Sequence, residues 1–215
     1  MRKMGKRILI FTGGSLSDWA VEEIQDGDFL IGADRGAHFL IQHGKVPHVA
    51  VGDFDSVTEE EFGRIQRTSL ETISCDALEK DLTDTELAFD LALSYDAEEI
   101  VIIGALGTRF DHSLANVHLL VKGLAKHVLC KIVDQKNEIL LADRPMQIVK
   151  GKYSHVSLLP LTPQVTGITL EGFQYPLTNA VLTLGQSLGI SNRLLDESGI
   201  VHLETGQLLI IKSRD

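Results

Sequence analysis

The sequence predicts an α/β fold: an N-terminal Rossmann-like parallel sheet with helices on both faces, then a small C-terminal all-β sandwich. Up to about residue 134, short apolar runs alternate with segments of helical periodicity, as in βαβ units with a sheet covered on both faces. Beyond about residue 135, β-like runs are separated by turn residues, with no comparably strong helical stripe. At 215 residues, 44% of them hydrophobic and 23% charged, the chain can bury a sizeable core as one large domain or two small ones. Residues 1–134 and 135–215 are the domains this pattern suggests.

Arg7 to Thr12 reads as a buried strand, Ser17 to Gln25 as a helix and Asp28 to Ala33 as a second strand. Gly36 to His43 supports a helix and Val49 to Gly52 a short strand, and Glu59-Glu60-Glu61 is the exposed start of another helix. Thr83-Asp84-Thr85-Glu86 matches a capping box, after which Leu87, Ala88, Leu91 and Ala92 form an apolar stripe. Glu99 to Ile103 is the clearest buried strand. Asp111 is placed to cap a helix whose Leu114, Val117 and Val121 recur at helical spacing, and Lys131 to Asp134 offers one more strand. Downstream, Ser154 to Leu159, Val165 to Leu170 and Ala180 to Leu184 read as strands. Ile200 to Glu204 and Gln207 to Lys212 flank a Thr205-Gly206 turn.

The formal net charge of −10 excludes the basic footprint of a nucleic-acid binder. No segment has the roughly 18 apolar residues of a membrane helix. The apolar run after the basic start ends at Thr12-Gly13-Gly14, too short for a signal-peptide core. Cys75 and Cys130, far apart in sequence, read as two buried thiols in a reducing cytoplasm. His43 and His48 bracket a turn and are expected at the surface; Trp19 is expected in the core.

In open α/β sheets ligands bind at the carboxyl ends of strands, so the residues that follow each strand carry the functional reading. Gly32-Ala33-Asp34-Arg35-Gly36-Ala37 ends the second strand and Gly52-Asp53-Phe54-Asp55-Ser56 the third. Lys80-Asp81-Leu82-Thr83-Asp84 precedes the capped helix, and Gly104-Ala105-Leu106-Gly107-Thr108-Arg109-Phe110-Asp111-His112 follows the strand at Glu99 to Ile103. In an extended segment Asp53 and Asp55 would project to the same side. A single such pair is commonly a solvated turn. Four acidic loops at element ends point instead to hard oxygen ligands gathered for Mg²⁺ and a polyphosphate. The Gly104 to Gly107 loop offers close backbone approach and amides for phosphate oxygens, and Arg109 a bidentate partner.

These residues, with Tyr175-Pro176-Leu177-Thr178-Asn179 and Ser191-Asn192 far downstream, resemble the thiamine pyrophosphokinase family over nearly the whole chain. Gly52-Asp53-Phe54-Asp55-Ser56 and Arg109-Phe110-Asp111-His112 are the most specific parts. The resemblance implies transfer of the β,γ-diphosphate of ATP to the hydroxyethyl group of thiamine, giving thiamine diphosphate and AMP. It implies a homodimer with active sites between the α/β domain of one subunit and the sandwich of the other. Asp53, Asp55 and Asp84 would hold Mg²⁺ and form the catalytic set. The ATP-binding residues would be Asp34, Arg35, Gly36, Gly104, Leu106, Gly107, Arg109, Asp111 and His112; Tyr175, Ser191 and Asn192 would bind thiamine. Arg35 and Thr108 stand where many relatives have Gly, and Tyr175 where some have Trp. Two other classes remain open: a metal-dependent phosphohydrolase with Asp53 as nucleophile, and a non-catalytic nucleotide- or thiamine-binding module.

Overall fold

A computed structural model describes residues 7–75 and 81–215, which form two compact units, Met1–Gln135 and Lys136–Asp215. Lys80, which opens one of the acidic runs, and the basic start before Arg7 lie outside the described residues.

In the first unit the elements run β1 (Arg7–Phe11), α1 (Asp18–Glu22), β2 (Phe29–Ala33), α2 (Arg35–Gln42), β3 (Val49–Gly52), α3 (Glu59–Thr68), β4 (Glu71–Ser74), α4 (Asp84–Leu93), β5 (Glu99–Ile103), α5 (Phe110–Ala125) and β6 (Leu129–Val133). The strands pair in the order β4-β3-β2-β1-β5-β6, all parallel. Four consecutive buried residues in each of β1, β2 and β5 show burial on both faces, as their continuous apolar sequence requires. On one face Leu9, Phe11, Val101 and Val133 pack with Ala20 and Leu40 from α1 and α2, and Trp19 lies half-buried against them. On the other face α4 and α5 close over Cys130, where a Cβ at Gly123 would meet both the Cys130 sulfur and the Phe89 ring. Burial pushes the Cys130 thiol up to about 12, so it stays protonated and inert. Cys75 is only half-buried.

The amino edge of this sheet is held by charge. Arg7 pairs with Asp28 at 2.8 Å and Glu99 at 2.9 Å, and Lys131 joins Glu99 at 2.7 Å. Asp28 also accepts the Gln25 N–H, which turns the chain away from α1 three residues earlier than its sequence pattern suggests. His48 is half-buried and not simply at the surface: its ring stacks on Phe29 and its Nδ1 accepts the Leu30 N–H at 3.0 Å.

The second unit contains β7 (Asn137–Ala142), β8 (Met146–Val149), β9 (His155–Pro160), β10 (Gln164–Glu171), β11 (Ala180–Thr183), β12 (Ser198–His202) and β13 (Leu208–Ser213). They form two antiparallel sheets, β7-β13-β9 and β11-β10-β12-β8. Alternate residues of both sheets, among them Val156, Leu158, Val165, Leu170, Val201, Leu208 and Ile210, bury into one core, which makes the unit a sandwich.

Candidate active site

The strand order of the first unit reverses between β1 and β5, so the loops leaving these strands diverge and a crevice opens at their carboxyl ends. A cavity of about 600 Å³ lies there. Thr12, Gly13 and Gly14 after β1 and Gly104, Ala105 and Gly107 after β5 line it. The two loops touch through bare backbone: a Cβ at Gly14 would lie 2.0 Å from the Gly104 carbonyl oxygen. Gly104 itself sits at φ +79 with Leu16 and the Thr12 carbonyl against it, a conformation and a space that only glycine fits.

Asp34, Asp53, Asp55 and Asp84 all line this cavity. Asp34 is 9% exposed, stands at the N-cap position of α2 at φ 49, ψ −118 without a side-chain cap hydrogen bond, and accepts a hydrogen bond from the Ser56 hydroxyl through Oδ2. Its other oxygen, Oδ1, is buried without a hydrogen-bond partner. Burial raises the Asp34 pKa above the usual carboxylate value, with the Asp84 and Asp53 charges adding to the rise and the Ser56 bond opposing it. The Asp53 N–H donates to Asp84 Oδ1 at 3.3 Å, tying the loop after β3 to the start of α4.

The segment between the paired acids is not extended. Phe54 has φ 58 and turns its ring into a core of Ala37, Ile41, Ala50 and Ile65, 4.8 Å from the Phe62 ring. Asp55 N–H donates to Asp53 Oδ1 at 3.1 Å, an Asx-type turn. Asp53 and Asp55 therefore share the cavity because a buried aromatic bends the backbone, and the alternation of a strand plays no part. Among the described residues no three His, Cys, Asp or Glu side chains are already arranged to hold a metal ion.

On the opposite wall, Arg109, His112, Ser113 and Asn116 come from the start of α5. Two expectations need correcting here. The Gly107 amide is not open to phosphate, because it donates to Ser113 Oγ at 3.1 Å. Asp111 is not the cap: Arg109 holds that position, and Asp111 lies in the first turn, exposed, with its carboxylate on Arg109 Nη2 at 2.6 Å and Nε at 3.3 Å. That pairing holds the Asp111 pKa low and the Arg109 pKa high.

Arg35, Gly36, Leu106 and Asp111 do not line the cavity. Arg35 is exposed at the first turn of α2. Gly36 serves packing, since a Cβ there would lie 1.9 Å from the Phe11 carbonyl oxygen. Asp81, Leu82, Thr83 and Thr85 beside Asp84 also line the cavity, as do Thr12 to Gly14, Ser113 and Asn116, which were missed in the sequence reading. The strand-end rule would have found Thr12 to Gly14; no motif marks Ser113 and Asn116. In the second unit, Tyr175 is 59% exposed, Ser191 has φ 59, and Asn192 is buried. Asn192 accepts the Tyr175 and Arg193 N–H groups and donates to the Tyr175 carbonyl at 2.7 Å, so its amide holds the Tyr175 backbone in place.

The family model described as "Thiamin pyrophosphokinase, catalytic domain" matches residues 21–133, and "Thiamin pyrophosphokinase, vitamin B1 binding domain" matches residues 143–210. A thiamine pyrophosphokinase of Bacillus subtilis is 37% identical over 187 residues, covering 86% of this chain and 87% of that protein. The crystal structure of a B. subtilis thiamine pyrophosphokinase superposes with a TM-score of 0.90 at 34% identity over 97% of this chain and 99% of that one. One from Geobacillus thermodenitrificans does so at 0.86 and 35%, over 97% and 98%. The enzyme from Candida albicans, at 16% identity and a TM-score of 0.82 over 98% and 90%, shares the fold. With both family models matched in order along the chain and a relative of this identity covered over most of its length, the chain belongs to the thiamine pyrophosphokinase family.

Proposed function

We propose that this chain transfers the β,γ-diphosphate of ATP to the hydroxyethyl group of thiamine, releasing AMP. The observation that carries this reading is the set of carboxylates at the strand-reversal cavity facing the start of α5, in a chain of this family. The hydroxyl oxygen of thiamine bonds to the β-phosphorus and gives up its proton, the bond from that phosphorus to the oxygen bridging to the α-phosphate breaks with its electrons on that oxygen, and AMP leaves. Little covalent work falls to the protein in such a transfer; alignment and charge neutralisation dominate.

The donor set suits a hard cation: carboxylate oxygens only, and at Asp34 a buried oxygen lacking a partner. Asp53, Asp55 and Asp84 would hold Mg²⁺, with Asp34 beside them. Bound there, Mg²⁺ would offset the charges of the polyphosphate and of the acids. Arg109 is the cation of the opposite wall, and a phosphate would compete with Asp111 for its guanidinium edge. Tyr175, exposed and anchored through Asn192, offers an aromatic face to a cationic substrate. The reading includes a homodimer, for which sedimentation would give twice the chain mass.

Incubation with ATP, Mg²⁺ and thiamine should yield AMP and thiamine diphosphate in equal amounts. ADP or free phosphate instead would point to a kinase or a hydrolase. Asp53→Asn should lower turnover by at least about a hundredfold with the circular dichroism spectrum unchanged. Retained activity would misplace the acids' role.

A further inference from the structure

Two buried polar side chains of the cavity wall have no part in the chemistry above. Ser113 and Asn116 are 9% and 8% exposed and stand three residues apart on one face of α5. Asn116 Nδ2 donates to the Ala105 carbonyl at 2.8 Å. Ser113 Oγ accepts the Gly107 N–H at 3.1 Å and reaches the Arg109 carbonyl at 3.2 Å. One helix face therefore grips the β5–α5 loop at three points: before Leu106, after it, and at the helix cap. Gly104 and Ala105 at the start of the loop are buried, with Gly104 packed against the loop after β1, whereas Gly107, Thr108 and Arg109 beyond them are exposed.

We propose that Ser113 and Asn116 are positioning residues for the nucleotide: acting through the loop, they hold Gly107, Thr108 and Arg109 on the cavity wall where the polyphosphate is received. The inference rests on the reading that this cavity takes ATP. Both side chains line the cavity beside the backbone they hold. Truncating either one leaves a loop amide or carbonyl without its partner. Such a change acts on the ligand that the loop meets, and much less on the other substrate.

The test compares wild type, Ser113→Ala, Ser113→Thr and Asn116→Ala by steady-state kinetics, ATP-binding calorimetry and thermal melts. Each truncation should weaken ATP, in KM and in calorimetric Kd, by about tenfold, the weight of one buried hydrogen bond. The KM for thiamine and kcat should stay within about twofold, and Ser113→Thr, which keeps the hydroxyl, should restore ATP affinity. Unchanged ATP affinity overturns the proposal. So does a uniform loss across both substrates that tracks a fall in Tm, the signature of a merely structural link. If Asn116→Ala does not fold, the Ser113→Ala and Ser113→Thr pair decides alone. A wild type that makes AMP while the truncated proteins bind ATP normally refutes the positioning role alone; a wild type that binds no ATP refutes the functional reading with it.

Discussion

Asp34 concentrates the cost of the site in one side chain. It is buried, held at a positive φ, and leaves Oδ1 unpartnered, and its carboxyl is raised by burial and by the Asp84 and Asp53 charges. A carboxyl whose pKa is higher folded than unfolded contributes stability that is present at low pH and lost as the pH rises through the folded value. At neutral pH the nucleotide-free protein therefore carries a charge that works against the fold. Asp34→Asn keeps an acceptor for Ser56 and a residue tolerant of positive φ. In EDTA and without nucleotide it should melt about 2–4 °C higher at pH 7. The gain should shrink towards pH 4, while turnover falls sharply. A midpoint unchanged or lowered at pH 7 would show that the charge is not opposing the fold. Asp34, Asp53, Asp55 and Asp84 were legible from sequence because they follow strands or start a helix. The turn that brings Asp53 and Asp55 together was not, since it depends on where the Phe54 ring finds its core.

At the scale of elements, α2 meets β1 through Gly36, whose missing side chain lets the helix start lie against the Phe11 carbonyl. Gly36→Ala should cost about 1–3 kcal/mol, read by urea denaturation, because backbone on both sides cannot give way. An effect under about half of the lower figure would mean that α2 can move. Elements with apolar runs or capping signals were legible: β1, β2, β3, β5, α2 and the start of α4, where Thr83 accepts the Glu86 N–H. The reciprocal half of that box is taken elsewhere, since Glu86 pairs with Lys122 of α5 at 2.7 Å. A complete box occurs at Thr58 and Glu61, the residue before the acidic run read as a helix start and the last residue of that run. β4 escaped notice because Glu71-Thr72-Ile73-Ser74 is a polar edge strand with one aliphatic residue. β7 and β8 were not read either, although Ile139 to Ala142 is a continuous apolar run of the kind that marks β1 and β5. The misplaced cap at Asp111 has an equally local cause: Asp suits a cap and a first turn alike.

Across the whole molecule, the edges of the parallel sheet divide the labour: the carboxyl edge carries the acids, and the amino edge carries Arg7, Asp28, Glu99, Lys131 and His48. Burial lowers the His48 pKa below 6.5, and its Nδ1 is committed as an acceptor, so the fold requires the neutral ring. The unfolded chain takes up that proton more readily. This contribution is therefore complete above about pH 6.5 and is lost as the pH falls towards the folded value. His48→Asn, whose amide oxygen can accept the same N–H, should flatten the fall in urea midpoint between about pH 6.5 and 5.5 and change little above pH 7. Equal slopes in the two proteins would assign that fall to other groups. Phe54 joins the two duties that the sheet otherwise keeps apart. Cores ordinarily accept another side chain of similar volume at little cost. Here the ring that fills the space between α2 and α3 also sets where two carboxylates stand. A replacement that satisfies the core can still silence the enzyme by moving the two carboxylates, so volume alone does not decide what this interior position tolerates.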